Sequence, residues 1–193
     1  DLIEILRVGE KAESFQTDGE AWEQRLEEFP VIPQAPVPHP YFHDFGNLDF
    51  PAWFPRWIAE KLYHYEITQG IAVYLRTFRT FVPADEADTP QAFARRFLKM
   101  LGASQLQDQS QAVMILYFAE QESWALYGSP RTHQLLFPNL ESKPQSEDWE
   151  RLKADLLQKA RATFESPTPR RMVDGMATQV LLQLDQAELV IQD

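Results

Sequence analysis

Two groups of side chains in this sequence have the types and spacing that chemistry or recognition requires. The first is basic: Arg76, Arg79, Arg95, Arg96 and Lys99 lie close together along the chain. Guanidinium forks and ammonium charges gathered in one place would bind a carboxylate or phosphate. If residues 76–79 form a strand, Arg79 shares a face with Thr77 and Phe81, and Arg76 shares the other with Tyr74 and Phe78. Tyr74 and Phe78 would then offer stacking surfaces beside an anion or a nucleobase. The plainer reading has Arg76 and Arg79 paired with acids, and Arg95, Arg96 and Lys99 forming a solvated face favoured by a helix dipole.

The second group is aromatic. Tyr41 to Trp57 (YFHDFGNLDFPAWFPRW) holds seven aromatic residues, and it follows five prolines between Pro30 and Pro40. Proline fixes φ and cannot donate to a ladder, so residues 30–50 read as an extended arm rich in proline and aromatics. Tyr41, Phe42, Phe45, Trp53 and Trp57 are the candidate partner surface, because exposed apolar patches on soluble proteins mark interaction sites. The competing reading packs these rings across the domain to complete its core.

Other constellations carry less. His39 and His43, with Asp44, have a spacing that suits a metal on a helix, but Pro38 and Pro40 break any helix there, so no metal site is expected. Glu120, Glu122 and His133 become an acid–base set only if their hairpin faces a pocket. Asp85-Glu86-Ala87-Asp88 spells a helicase tetrapeptide without the phosphate loop that gives it meaning, and is read as an acidic loop. No dinucleotide or phosphate-binding glycine pattern, nucleophile elbow or zinc-protease helix is present, and no cofactor is expected.

Charge narrows the partner classes. The net charge of −11 is distributed as −8 over residues 1–60, +2 over 61–103 and −5 over 104–193. An acidic whole repels nucleic acid and anionic lipid, which makes nucleic acid an unfavoured partner. The chain has no cysteine, which excludes disulfides and thiolate chemistry and points to a cytoplasmic setting. Its longest apolar run, Ala112 to Ala119, is far short of the roughly 20 residues a membrane span needs.

These residues must be positioned by elements the sequence also marks. Leu2–Val8 reads as a strand or a helix end, and Asp18 as the cap of a helix carrying Trp22, Leu26 and Phe29 to Pro30. Asp49 with Pro51 reads as the start of a helix carrying Phe54, Ile58, Leu62 and Tyr65. Ile71–Val82 is rich in β-branched and aromatic residues and reads as a strand; a helix continuing through Gly70 is the rival. Thr89-Pro90 opens a helix with Phe93, Phe97 and Leu101 inward and Gly102 at its end. A Gln-rich link follows, then an antiparallel β-meander of Ala112–Ala119, Trp124–Gly128 and Arg131–Phe137.

Ser146 reads as the cap of a long helix with Trp149, Leu152, Leu156, Ala160 and Phe164 buried. Ser166–Arg171 reads as a short linker, and Met172–Leu184 fits helix and strand equally. The expected fold is therefore one α+β domain over 1–193: a short meander packed with three to five helices behind a proline-rich arm. The expected function is a non-enzymatic interaction module binding another protein, with homo-oligomerisation left open. The alternatives are a small-ligand or anion-binding enzyme using the central arginines and, third, a nucleic-acid binder.

Overall fold

A computed structural model describes residues 41–86, 88–105, 111–164 and 166–191, all within the compact unit Pro40–Asp193. The expectations for Leu2–Val8, the Asp18 helix, the Pro30–Pro40 arm and His39 lie outside the described residues. The domain is α+β. Its elements are β1 (Phe42–Asp44), α1 (Phe54–Gln69), β2 (Ile71–Phe78), α2 (Pro90–Gln105), β3 (Gln111–Phe118) and β4 (Ser123–Gly128). A 3₁₀ turn (Pro130–Thr132), α3 (His133–Leu136), α4 (Ser146–Arg161) and α5 (Pro169–Ile191) complete it.

The four strands form one sheet in the order β1-β2-β3-β4. β1 and β3 both run parallel to β2, and β4 runs antiparallel to β3, with Phe42 opposite Leu75 and Ile115 opposite both Leu75 and Leu126. The expected meander is thus corrected: only β3 and β4 form a hairpin. The strands were legible because β-branched and aromatic runs stand out, but β2 and β3 are buried on both faces and show no alternation from which pairing could be read. A whole helix separates β2 from β3, the length a parallel crossover requires.

The third expected strand, Arg131–Phe137, is also corrected, since this segment is the 3₁₀ turn and α3. Ser129 is extended, Pro130 sits at the first helical position, and the Thr132 hydroxyl donates to the Ser129 carbonyl at 2.9 Å. Thr132, Leu135 and Leu136 are buried together, a helical spacing that alternation along a strand cannot produce.

Helices cover both faces of the sheet. On one face α1, α4 and α5 enclose Ile71, Val73, Leu75, Val113, Ile115 and Leu126. On the other, α2 covers Ala72, Tyr74, Met114, Leu116 and Phe118 through Ala94 and Leu98. The connections β1-α1-β2 and β2-α2-β3 step the same way across the sheet but over opposite faces. They are therefore of opposite hand, although about 98% of parallel crossovers are right-handed.

Helix boundaries show what local signals settle. Gly70 ends α1 in the left-handed region (φ 71°) with its amide on the Glu66 carbonyl at 2.7 Å, so β2 begins one residue later and the continuous-helix alternative falls. α1 begins at Phe54, capped at Trp53 with Pro55 in its first turn, rather than at Asp49. α2 runs through Gly102 to Gln105. α4 is capped one residue before Ser146: the Gln145 amide donates to the Asp148 carboxylate at 2.9 Å, in a reciprocal capping box. The segment left open between helix and strand is the helix α5. It docks on α1 through Lys61 to Asp174 (2.7 Å) and the Tyr65 hydroxyl to Asp185 (2.7 Å).

Candidate functional site

The aromatic segment divides at β1. Phe42 points to the α1 side and is buried edge-on against Phe50 and Phe54, each 6.0 Å away. Tyr41 lies half-buried at the sheet edge, stacked on Tyr74 at 5.8 Å, and its hydroxyl donates to the Glu66 carboxylate. Burial and that carboxylate push the Tyr41 phenol well above its ordinary range. Trp53 and Trp57 are half-buried against the same core and meet edge to face at 6.1 Å. Arg170 and Lys61 cover their rings at 5.3 and 5.1 Å.

Phe45 behaves differently. It follows β1, is 52% exposed, and lies flat on Phe78 with centroids 5.1 Å apart and planes within 10°. Its ring also meets Phe97 of α2 at 6.1 Å and His43 at 4.3 Å. Beneath it Phe78, Phe93, Phe97 and Phe81 are half-buried around the fully buried Phe118. Met100, one turn beyond Phe97 on α2, is 65% exposed. The neighbours of Phe45 on α2 and β2 are distant in sequence, so its place on this cluster had no local signal.

The loop presenting Phe45 is tied down by Asp44. Its carboxylate accepts from the Gly46 amide (3.0 Å), the Leu48 amide (2.7 Å) and the Thr77 hydroxyl (2.7 Å). Gly46 runs so close to β2 that a Cβ there would stand 2.6 Å from the Arg79 nitrogen and 2.7 Å from the Phe78 carbonyl carbon. Asn47 then adopts a positive φ of 46°, which asparagine tolerates better than most residues. α1 and α2 leave the ends of β1 and β2 over opposite faces of the sheet, with this loop between them.

The five bases do not converge on one point. Arg76 is buried on the α2 side of the sheet, its guanidinium 5.9 Å from the Tyr74 ring and donating to the Leu75 carbonyl at 2.9 Å. Burial lowers its pKa to about 10, partly offset by Tyr74. Arg79 is exposed beside the Phe45 loop and donates to the Asn47 carbonyl at 3.4 Å. Arg95 lies over Tyr127 at 6.0 Å. Arg96 lies over Phe93 at 5.7 Å and grips both oxygens of Asp88 at 2.8 and 2.9 Å. Lys99 is exposed on the outer side of α2.

Asp88 closes the DEAD tetrapeptide, and its carboxylate also accepts from the Ala84 amide at 3.0 Å. Asp88 is thus committed to holding its own loop. Glu120 and Glu122 sit on the β3–β4 turn, and His133 follows the far end of β4, so the expected acid–base set is not assembled. Burial lowers the His133 pKa, and its Nε2 lies 3.0 Å from the Gly128 carbonyl. A cavity of about 190 Å³ opens beside it, lined by residues including Phe137, Leu140 and Lys143, away from the central arginines. No group of three or more potential metal ligands occurs among the described residues. No helix among them is long and apolar enough to cross a membrane.

Comparison with known proteins adds no family: no family model matches the chain, and no curated protein matches it.

Proposed function

We propose that this chain is a non-enzymatic interaction module that binds another protein, with Phe45 at the centre of the contact surface. One observation carries the reading: an exposed phenylalanine is stacked on a half-buried one, inside a cluster whose other rings are partly covered. Leaving such a ring in water forgoes burial that other aromatics of the segment obtain, and a rigid, pre-placed aromatic loses little entropy when a partner covers it. Phe97 and Met100 extend the apolar surface along α2. Phe42, Trp53 and Trp57, from the same segment, pack instead into the cluster on the α1 face, and Tyr41 stacks on Tyr74 at the sheet edge.

A photo-crosslinking residue placed at position 45 of the full chain tests this in the native source. A discrete adduct with one protein is expected at position 45 and not at the control position Ile67, which is 61% exposed. Equal labelling at both positions, or none at 45, overturns the reading.

A second reading keeps a small anion near the ends of β1 and β2, with Arg79 as its cation. Its support is the exposed Arg79 guanidinium beside the loop after β1. Thermal stabilisation by phosphate or citrate that vanishes in Arg79→Ala would favour it.

A further inference from the structure

Three tyrosines meet at the β1 edge of the sheet. The Tyr41 ring lies against Tyr74 of β2, with centroids 5.8 Å apart and planes 13° from parallel. Tyr63 of α1 meets the same ring at 5.6 Å, tilted by 56°, and is 41% exposed. Glu66 stands one turn further along α1, on the same side as Tyr63, and its carboxylate accepts from the Tyr41 hydroxyl. Burial and this carboxylate raise the Tyr41 phenol above its ordinary value, so the ring stays protonated at neutral pH.

This arrangement suits one-electron chemistry. A protonated phenol gives up an electron readily only when its proton leaves too, and Glu66 is a base already within hydrogen-bond reach. Tyr63 is open to an oxidant in solvent, and its contact with Tyr41 lets the electron vacancy pass inward. The chain has no cysteine, so no thiol competes for that oxidant. Of the two rings touching Tyr41, Tyr74 is stacked on it and buried, which holds ring carbons face to face. Tyr63 is tilted and has solvent on one side, into which it can turn to bring a ring edge to Tyr41.

We infer that Tyr41 and Tyr63 are a site of oxidative cross-linking, joined by a carbon–carbon bond when a peroxide-driven haem oxidant withdraws one electron from each ring. Tyr41 passes its phenolic proton to Glu66, and Tyr63 passes its own to water. The two phenoxyl radicals couple through carbons ortho to their oxygens, and the hydrogens on those carbons move to the oxygens, restoring both phenols. The two electrons and two protons released reduce one hydrogen peroxide to two waters. Rings held in contact make the coupling intramolecular, and its product ties the three-residue edge strand β1 to α1.

The test exposes the dilute full-length chain to a haem peroxidase with limiting hydrogen peroxide, then maps cross-links by digestion and tandem mass spectrometry. The expected product is a monomer with a Tyr41–Tyr63 link, two hydrogens lighter than the starting chain and showing dityrosine fluorescence. Tyr63→Phe should abolish the link while leaving the amide spectrum of the fold in place. Glu66→Gln is the second variant: it keeps a hydrogen-bond acceptor for Tyr41 but removes the base, and the yield of the link should fall several-fold. Links between chains or through other tyrosines, without one from Tyr41 to Tyr63, overturn the inference, as does the absence of any link. An undiminished yield from Glu66→Gln overturns it as well, because mere contact between two rings would then account for the coupling.

Discussion

The rings of Phe45 and Phe78 lie parallel at 5.1 Å, so a half-exposed side chain on the loop after β1 is held in place by one at the end of β2. The Asp44 carboxylate fixes the same relationship from the other side by accepting from Thr77, the residue before Phe78. The surface is presented by two parallel strands rather than by a free loop.

Phe45 and Trp57 should separate cleanly when each is truncated. Phe45→Ser loses one stacked pair and partial burial, about 1 kcal/mol. Trp57→Ala removes a ring packed into the core cluster and should cost about 3 kcal/mol. Urea denaturation with an unchanged m-value checks both. A larger loss for Phe45→Ser than for Trp57→Ala would assign the exposed ring to the core instead.

Gly46→Ala should be costly despite its size. The added carbon would meet the backbone of Phe78 and Arg79 at 2.6–2.7 Å, and backbone, unlike a flexible side chain, cannot step aside. A loss of about 2 kcal/mol is expected, as for overpacking generally, together with altered amide shifts for Asp44 and Thr77. Wild-type stability in this variant would show that the loop is looser than its geometry implies.

The Asp88–Arg96 clasp should make stability depend on acid. The Arg96 guanidinium, helped by the Ala84 amide, holds the Asp88 carboxyl below its ordinary value. A carboxyl whose folded pKa is depressed stabilises the fold above its unfolded value of about 3.9 and loses that contribution as pH falls through the folded one. The stability gap between the wild type and Asp88→Asn should therefore be full at neutral pH and shrink below about pH 4. A gap that is constant down to strong acid would show that the clasp is not electrostatic.

Gln91 covers the outer edge of the sheet. Its side chain donates to the Leu126 carbonyl and accepts from the Leu126 amide at 3.3 Å, standing in for a neighbouring strand on β4. Gln91→Ala should cost about 1 kcal/mol, the usual net worth of such a bond, and increase self-association, because an uncovered edge is a template for pairing. Light scattering across a concentration series measures the second effect; an unchanged monomer fraction would argue that other groups already protect the edge.

The sequence by itself determined where most of these elements lie. Helical spacing placed Phe54, Ile58, Leu62 and Tyr65 on one buried face, and likewise Trp149, Leu152, Leu156 and Ala160. Apolar runs marked β2, β3 and β4, while a helix running on through Gly70 stayed open until the structure placed that residue in the left-handed region. These signals are local, arising within a turn or two of the residue that carries them. Alternation and turn chemistry misled at Arg131–Phe137, where Pro130 stands at the first position of a helical turn.

Only the tertiary structure decided which strands run parallel, which face of the sheet each helix covers, and which aromatics of one segment are buried. β1 joins β2 beyond an intervening helix, and Phe45 meets Phe78 and Phe97 from elements far along the chain. No residue type encodes such a meeting in its own neighbourhood. It follows from how sheet faces are shared among helices, and that division left Phe42 inside and Phe45 half in water.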